Sequence, residues 1–168
     1  MSGTSLDGVD AVVIDTKATQ LLAQIYLPYP KLLKQQLQAL TQGGKTHLKD
    51  LADIDTQVAH FFADVVAALL ESANILAADI KVIGSHGQTI FHQGGEYSMQ
   101  IGHGAIIAER SGIAVVSDFR MNDIAAAGQG APLTPMYHQH LLQGKEGVII
   151  NLGGIANLTQ VLKGVVTG

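Results

Sequence analysis

The sequence predicts a mixed α/β domain, with antiparallel strands at both ends of the chain and strand–helix units between them. Three features of the sequence indicate this fold class. Short β-branched runs recur along the chain, one long segment has apolar residues at helical spacing, and several strands end in glycine-rich polar loops. Because ligands of α/β sheets bind where such loops meet at the carboxyl ends of strands, we expect a binding site there.

The N-terminal part of the chain predicts a hairpin followed by a helix. Residues 11–14 and 21–26 are apolar runs joined by a short polar link, which is typical of two antiparallel strands. Leucines at three- and four-residue steps then predict a helix over 31–41, ending at Gly43 and Gly44.

The rest of the chain predicts a long helix and then alternating short elements. Apolar residues recur at helical steps over 51–70, with polar residues between them, which corresponds to about six helical turns. Further strands are predicted at 80–83, 98–101, 113–116, 148–151 and 158–162, and further helices at 105–110 and 133–142.

Composition limits the class of protein. Of the 168 residues, 47% are hydrophobic and 14% are charged, so the chain can build a core. The net charge of −4 and the lack of basic runs argue against nucleic-acid binding. The absence of cysteine excludes a disulfide scaffold. No apolar stretch approaches the ~20 residues that span a bilayer, and no signal peptide is recognisable, so we expect a cytoplasmic protein without a membrane partner.

The first polar loop, SGTSLDGVD at residues 2–10, has the chemistry of a phosphate-binding loop. Gly3 and Gly8 permit tight turns whose backbone N–H groups can surround phosphate oxygens. Hydroxyl and carboxylate groups lie in the same loop: Thr4, Ser5, Asp7 and Asp10. The two aspartates could hold Mg²⁺ directly or through water. The structural alternative is an ordinary turn, and no P-loop sequence occurs in the chain.

A second loop of this kind, NLGGIAN, covers residues 151–157. Gly153 and Gly154 lie between two β-branched runs, as in a simple hairpin turn. The flanking Asn151 and Asn157 make a phosphate or sugar contact a second interpretation.

Two further loops, GSHGQTIFH and DFRMNDIAAAGQGAPL, carry more polar side chains than turns require. The first contains uncharged hydrogen-bonding groups suited to sugar hydroxyls: Ser85, His86, Gln88 and Thr89. The second contains ionisable groups: Asp118, Arg120 and Asp123. The Arg120 guanidinium could bind a carboxylate or a phosphate, and a structural Arg–Asp pair within the loop is the alternative.

Together, the four motifs MSGTSLDGVD, GSHGQTIFH, DFRMNDIAAAGQGAPLTP and NLGGIANLT resemble the signature motifs of the 1,6-anhydro-N-acetylmuramic acid kinases. They match in order and spacing, and the resemblance covers the whole chain. Ala127 departs from the pattern, because the family usually has glycine there, directly before Gly128. We expect a slightly stiffer loop without a change of function.

The resemblance implies an actin/hexokinase/Hsp70-like fold, in which two RNase-H-like domains close on ATP. It implies conversion of 1,6-anhydro-N-acetylmuramic acid, ATP and water into N-acetylmuramic acid 6-phosphate and ADP, in the recycling of peptidoglycan sugar. The expected cofactors are ATP and Mg²⁺, and the expected partner is a small-molecule sugar. A homodimer is also compatible with the resemblance. Residues 1–168 would be the N-terminal domain, without its first strand and without the second domain.

The resemblance also suggests which residues bind the substrates. Phosphate binding is expected at Gly3, Thr4, Ser5, Leu6, Asp7, Gly8, Val9, Asp10, Asn151, Gly153 and Gly154. Mg²⁺ is expected at Asp7 and Asp10, and the sugar at Gln88, Thr89 and Arg120.

The catalytic base of the family is an aspartate in an Asp-Thr-Gly-Pro-Gly-Asn motif, expected just after Gly168. Within the chain, Asp123 and Arg120 are the catalytic candidates. The alternatives are an inactive fragment or non-catalytic binding module of the same fold, and a kinase for another sugar.

Overall fold

The structure is a computed structural model that describes residues 5–43, 45–142, 144–152 and 156–167, without the side chains of 151, 152, 156 and 157. The chain divides into two compact units. The first contains residues 1–92 and 98–119, and the second contains residues 93–97 and 120–168.

The first unit begins with the predicted antiparallel hairpin, formed by β1 (Gly8–Asp15) and β2 (Gln20–Pro28). The Asp15 carboxylate stabilises the turn, because its Oδ1 accepts hydrogen bonds from the backbone N–H of Lys17 (2.8 Å) and Ala18 (3.1 Å). The register shifts between Val13 and Ile14.

Two helices follow, and the sequence predicted both. The first, α1 (Lys31–Thr41), has the predicted bounds. The second, α2 (Leu48–Ala73), is longer than predicted at both ends, and it stops where Asn74 adopts a left-handed conformation with a φ of 53°. Helix α2 packs against β1, β2 and α1.

The core of the first unit lies between the hairpin and these helices. It consists of buried apolar side chains from several elements: Leu6, Val9, Tyr29, Leu33, Leu37, Ile54, Val58, Phe62, Val65, Ile101 and Ile107. Because α2 supplies four of them, this helix holds the remaining elements of the unit in place.

The second half of the first unit is built from short elements. They are a 3₁₀ turn (Ala77–Asp79), β3 (Ile83–Gly84), β4 (Gln88–Gln93), β5 (Tyr97–Ile101), α3 (Gly104–Ser111) and β6 (Val115–Val116). Strands β3 and β6 are parallel, and β4 pairs with β5. The predicted strand over 80–83 is wrong except at Ile83, and β4 was not predicted, because its sequence begins inside a polar loop.

The second unit contains the tip of the β4–β5 hairpin, most of α4 (Phe119–Ala125) and α5 (Pro135–Leu142). An antiparallel sheet follows, with β8 (Ala156–Leu162) between β7 (Gly147–Leu152) and β9 (Val165–Thr167). Helix α5 packs on this sheet through a 2.8 Å hydrogen bond between the His138 ring and the Thr159 hydroxyl. The sequence predicted α5, β7 and β8 but neither α4 nor β9.

The predicted mixed α/β composition is confirmed, with antiparallel pairs at both ends of the chain and a parallel pair between them. Within the part of the chain that the structure describes, no helix has the length and hydropathy required to cross a membrane.

Candidate functional site

A polar cavity of about 140 Å³ lies in the first unit at the carboxyl ends of the parallel strands β3 and β6. Its walls include Asp55, Ser85, His86, His103, Ser117 and Asp118. The structure thus brings together two of the polar loops that the sequence singled out, at the edge where α/β sheets bind ligands.

The parallel pairing of β3 and β6 fixes these two loops side by side. The Ser85 N–H donates to the Val116 carbonyl oxygen at 2.8 Å, and Ser85 itself is buried. Beyond β6, Asp118 has a φ of 59°, a left-handed conformation that costs a non-glycine residue on the order of 1 kcal/mol. On the other loop, the His86 Nδ1–H donates to the Gly87 carbonyl oxygen at 2.8 Å, which sets the ring's orientation.

Asp55 reaches this cavity from α2, and sequence reasoning missed it. Its Oδ1 accepts a 2.6 Å hydrogen bond from the N–H of Gly102, which lies 47 residues further along the chain. Gly102 has a φ of +103°, and a Cβ there would lie 2.9 Å from Val58 Cγ1. Asp55 therefore holds a glycine loop against the face of α2.

His103 follows in the same loop, and sequence reasoning missed it as well. Its Nδ1 accepts a hydrogen bond from the Ala105 N–H at 3.3 Å and so caps α3. One signal was present: Gly102, His103 and Gly104 form another glycine-rich polar loop directly after a predicted strand.

Two of the predicted sugar-contact residues lie in β4, beside the cavity's lining. Gln88 is fully buried, and its Oε1 accepts a 3.0 Å hydrogen bond from the Tyr29 hydroxyl. Thr89 Oγ1 accepts a 3.2 Å hydrogen bond from Gln100 Nε2, and Gln100 lines the cavity. In this structure Gln88 anchors β4 to the core and Thr89 orients Gln100, whereas direct contact of either residue with a sugar stays a prediction.

The opening loop is anchored in the core by Leu6 and Val9, while Ser5, Asp7 and Asp10 are exposed. Gly8 is buried, and Gly3 and Thr4 lie outside the described residues. The loop thus has a fixed apolar underside and a polar outer surface.

Asp7 has a cationic partner that the sequence did not indicate. The Lys34 ammonium lies 2.9 Å from Asp7 Oδ1. Hydrogen bonds from Lys34 and from the Ser5 hydroxyl, with the charge of Lys34, hold the pKa of Asp7 below its ordinary value. The loop therefore presents an ionised carboxylate beside a cation.

The second glycine loop, at residues 151–157, contributes few described contacts to the candidate site. Asn151 lies in β7, where its backbone pairs with that of Asn157, and Gly153 and Gly154 fall outside the described residues. Among the residues that are described, no group of three or more His, Cys, Asp or Glu side chains is placed to hold a metal ion. Mg²⁺ binding by Asp7 and Asp10 stays a prediction.

In the second unit, Arg120 and Asp123 bind the carbonyl oxygen and the N–H of Gly130, respectively. Arg120 Nη1 donates to the Gly130 carbonyl oxygen at 2.6 Å, and Asp123 Oδ2 accepts from the Gly130 N–H at 2.7 Å. Burial lowers the pKa of the Arg120 guanidinium, because desolvation disfavours its charge. Arg120 and Asp123 thus both bind the backbone of Gly130, and a direct Arg–Asp pair stays a prediction.

Comparison with known proteins assigns the family. The family model for anhydro-N-acetylmuramic acid kinase matches residues 1–167. The chain is 46% identical over 170 residues to the anhydro-N-acetylmuramic acid kinase of Aliivibrio fischeri, covering 97% of this chain and 46% of that protein. It is 47% identical over 163 residues to the kinase of the same name from Hydrogenovibrio crunogenus, covering 95% and 44%.

A third relative with this name, from Nitrosospira multiformis, is 45% identical over 177 residues, covering 100% of this chain and 48% of the relative. The chain therefore spans about half the length of the curated relatives that it matches. Because the family model matches nearly every residue, the chain belongs to the anhydro-N-acetylmuramic acid kinase family.

Proposed function

We propose that this chain is the N-terminal domain of an ATP-dependent kinase that converts 1,6-anhydro-N-acetylmuramic acid and water into N-acetylmuramic acid 6-phosphate. This reaction would recycle peptidoglycan sugar in the cytoplasm. The observation that carries the proposal is the polar cavity at the ends of β3 and β6, in a chain whose relatives bear this kinase's name. Its hydroxyl, imidazole and carboxylate groups match the hydrogen-bonding pattern of a sugar.

The finer fold that we infer is of the actin/hexokinase/Hsp70 type, with residues 1–168 as an RNase-H-like domain. An antiparallel hairpin at the start of the chain, followed by a parallel strand pair, supports this inference. In such kinases the reaction takes place between two domains, and their closure assembles the site.

The opening loop is our candidate for phosphate binding, with contributions from Gly3 to Asp10 and from Asn151, Gly153 and Gly154. Asp7 is exposed and ionised, which fits a hydrated Mg²⁺ ion, with Asp10 as a second carboxylate. The Lys34 ammonium, 2.9 Å from Asp7, fits a phosphate oxygen. When bound, Mg²⁺ offsets the negative charge of the phosphates.

Gln88, Thr89 and Arg120 are our candidates for sugar binding. Arg120 combines a planar guanidinium with partial burial, and desolvation strengthens its attraction for an anion. The lactyl carboxylate of the sugar and a phosphate are the two anions available in the proposed reaction.

The proposed chemistry requires a carboxylate base. Because O6 of the anhydro-sugar is part of an ether, it carries no proton. Water attacks the anomeric carbon and loses a proton to the base, while the bond from that carbon to O6 breaks and O6 bonds to the γ-phosphorus, releasing ADP. The base must lie within ~3 Å of the water.

Asp123 is the carboxylate candidate for this base within the chain. Its Oδ2 already binds the Gly130 N–H, which favours a structural role. We therefore assign the base to the aspartate of the family's Asp-Thr-Gly-Pro-Gly-Asn motif.

The test measures ADP release dependent on anhydro-N-acetylmuramic acid, in a chain extended to the length of its relatives and in residues 1–168 alone. We expect turnover by the extended protein only, because loss of a general base alone costs 10²–10⁴-fold. In the extended protein, Asp7→Ala should lower Mg²⁺-dependent kcat/KM at least tenfold.

The matched control is Asp64→Ala, which removes an exposed carboxylate that also pairs with a cation, Arg110. It should leave kcat/KM within twofold. Failure of the extended wild type to phosphorylate this sugar contradicts the proposed function, whereas a folded Asp7→Ala variant with unchanged kinetics removes only Asp7 from the site.

A further inference from the structure

We propose that Asp55 serves the sugar site with both of its carboxylate oxygens: Oδ1 positions the loop Gly102–Gly104, and Oδ2 accepts a hydrogen bond from a hydroxyl or amide N–H of the substrate. This inference rests on the proposed function and adds to it a residue that determines how the sugar is held.

The positioning role follows from where Asp55 lies. It projects from α2 between the buried residues Ile54 and Val58, on the helix that supplies much of the core. Its 2.6 Å hydrogen bond to the Gly102 N–H therefore ties the loop to a well-packed part of the unit. The loop in turn places His103 in the wall of the cavity.

The binding role follows from the second oxygen. Asp55 lines the cavity and is half-buried, and among the described residues its Oδ2 has no hydrogen-bond partner. A partly desolvated carboxylate with one oxygen satisfied gains free energy from a donor at the other. A ligand hydroxyl or amide can supply that donor.

The cavity's charge and size indicate which part of the substrate it takes. Asp118 places a second carboxylate in the wall, and the two together disfavour a ligand carboxylate or phosphate. The Nδ1 atom of His103 accepts from Ala105, which leaves Nε2 as the ring atom that can donate to a ligand. The cavity thus offers carboxylate acceptors and an imidazole N–H donor to a neutral polar group, beside the hydroxyls of Ser85 and Ser117.

The volume is small for a whole nucleotide. At about 30 Å³ per water molecule, 140 Å³ corresponds to roughly five waters. Sites that enclose a drug-sized ligand measure about 300–1,000 Å³. The cavity therefore fits one hydroxyl- or acetamido-bearing edge of the sugar.

The variant Asp55→Asn separates the two roles, because its amide oxygen can still accept from Gly102 while its NH₂ group replaces the second acceptor. Dissociation constants of the extended protein for anhydro-N-acetylmuramic acid and for ATP are measured by calorimetry, with KM and kcat beside them. We expect Asp55→Asn to raise the Kd and KM for the sugar at least tenfold and to leave the Kd for ATP within twofold. Asp55→Ala, which also frees the loop, should lower kcat in addition.

The control is Asp53→Asn on the same helix, where an exposed carboxylate pairs with Lys49. It should change neither dissociation constant. Thermal melting checks that each variant folds. If Asp55→Ala does not fold, Asp55→Asn alone decides the test. A sugar Kd within twofold of wild type in folded Asp55→Asn overturns the inference.

The same data distinguish this inference from the proposed function. If wild type phosphorylates the anhydro-sugar and Asp55→Asn binds it normally, only the role of Asp55 fails. If wild type phosphorylates a different sugar, the proposed substrate is wrong, and the Asp55→Asn comparison with that sugar decides the inference. If wild type binds no sugar, both fail.

Discussion

Two carboxylates in different parts of this chain each accept a short hydrogen bond from a glycine N–H. Asp55 accepts from the N–H of Gly102 at 2.6 Å in the first unit, and Asp123 accepts from the N–H of Gly130 at 2.7 Å in the second. Asp55 binds a cavity-lining loop 47 residues away in sequence, whereas Asp123, in α4, binds a glycine seven residues away, just beyond the end of its own helix. The same kind of bond therefore holds the wall of a polar cavity in one region and closes a local turn in the other.

The surroundings of the two carboxylates explain the difference. Gly102 lies against Val58 and Phe62 of α2, so the first bond joins two separate elements. The Asp123 carboxylate lies directly against the backbone of Gly128, and Arg120 also binds Gly130. Asp55 lines a polar cavity, whereas the Asp123 carboxylate lies against Gly128 and binds Gly130, which is why we place sugar binding at Asp55 and a structural role at Asp123.

The largest expected effect compares the two glycines. Gly102→Ala adds a Cβ 2.9 Å from Val58 at a φ of +103°, and strain with overpacking should lower the free energy of unfolding by about 3 kcal/mol. Gly130→Ala also has a positive φ, of +74°, but its nearest neighbour is the Ile124 side chain, which can move. We expect a loss of about 1 kcal/mol there.

Urea unfolding followed by circular dichroism measures both variants. Equal losses of unfolding free energy would show that the loop at Gly102 is packed no more tightly than the loop at Gly130. The proposed difference between the two regions would then be wrong.

Local elements were predictable where one periodic pattern covers them. Helix α1 has its predicted bounds because leucine spacing, Pro30 and Gly43 mark it without help from other segments. Helix α4 was missed because it is seven residues long, contributes no buried side chain and lies in a polar loop. The strand predicted over 80–83 failed because its ladder contains only Ile83 and Gly84, whose partners lie in β6.

The candidate site was predictable as a set of loops but not as a set of contacts. The polar loops after β3 and β6 were visible in the sequence, and their convergence follows from parallel pairing. Asp55 was not visible as a site residue, because its partner Gly102 is distant in sequence and no local pattern encodes that contact. For the same reason Lys34, the partner of Asp7, was missed.

A smaller effect tests the second region through Arg120. Arg120→Lys keeps the charge but loses the planar guanidinium, so we expect kcat/KM for the sugar in the extended protein to fall about tenfold. The control is Arg110→Lys, since Arg110 binds the His60 carbonyl and Asp64 on the outer face of α2. That variant should leave kcat/KM within twofold. If kcat/KM for the sugar is unchanged in Arg120→Lys as well as in Arg110→Lys, Arg120 has a structural role through its hydrogen bond to Gly130.

The smallest effect concerns Asp7, an exposed carboxylate whose partner is a side chain rather than a glycine N–H. Lys34 and Ser5 lower the pKa of Asp7 from its ordinary value of 3.8. Since the folded-state pKa is the lower one, its contribution to stability is fully present above pH 3.8 and is lost as the pH falls through the folded-state pKa. The Asp7→Asn variant lacks this contribution, so its difference in unfolding free energy from wild type should be constant near neutral pH and shrink in acid.

Denaturant titrations of both proteins at a series of pH values measure that difference. It should be small throughout, because side-chain exposures of 62% for Asp7 and 34% for Lys34 let solvent screen the pair. Salt should reduce it further, whereas the bonds of Asp55 and Asp123 to glycine N–H groups should respond little to salt. A difference that grows as the pH falls would mean that folding raises the pKa of Asp7. Lys34 would then not stabilise the ionised carboxylate.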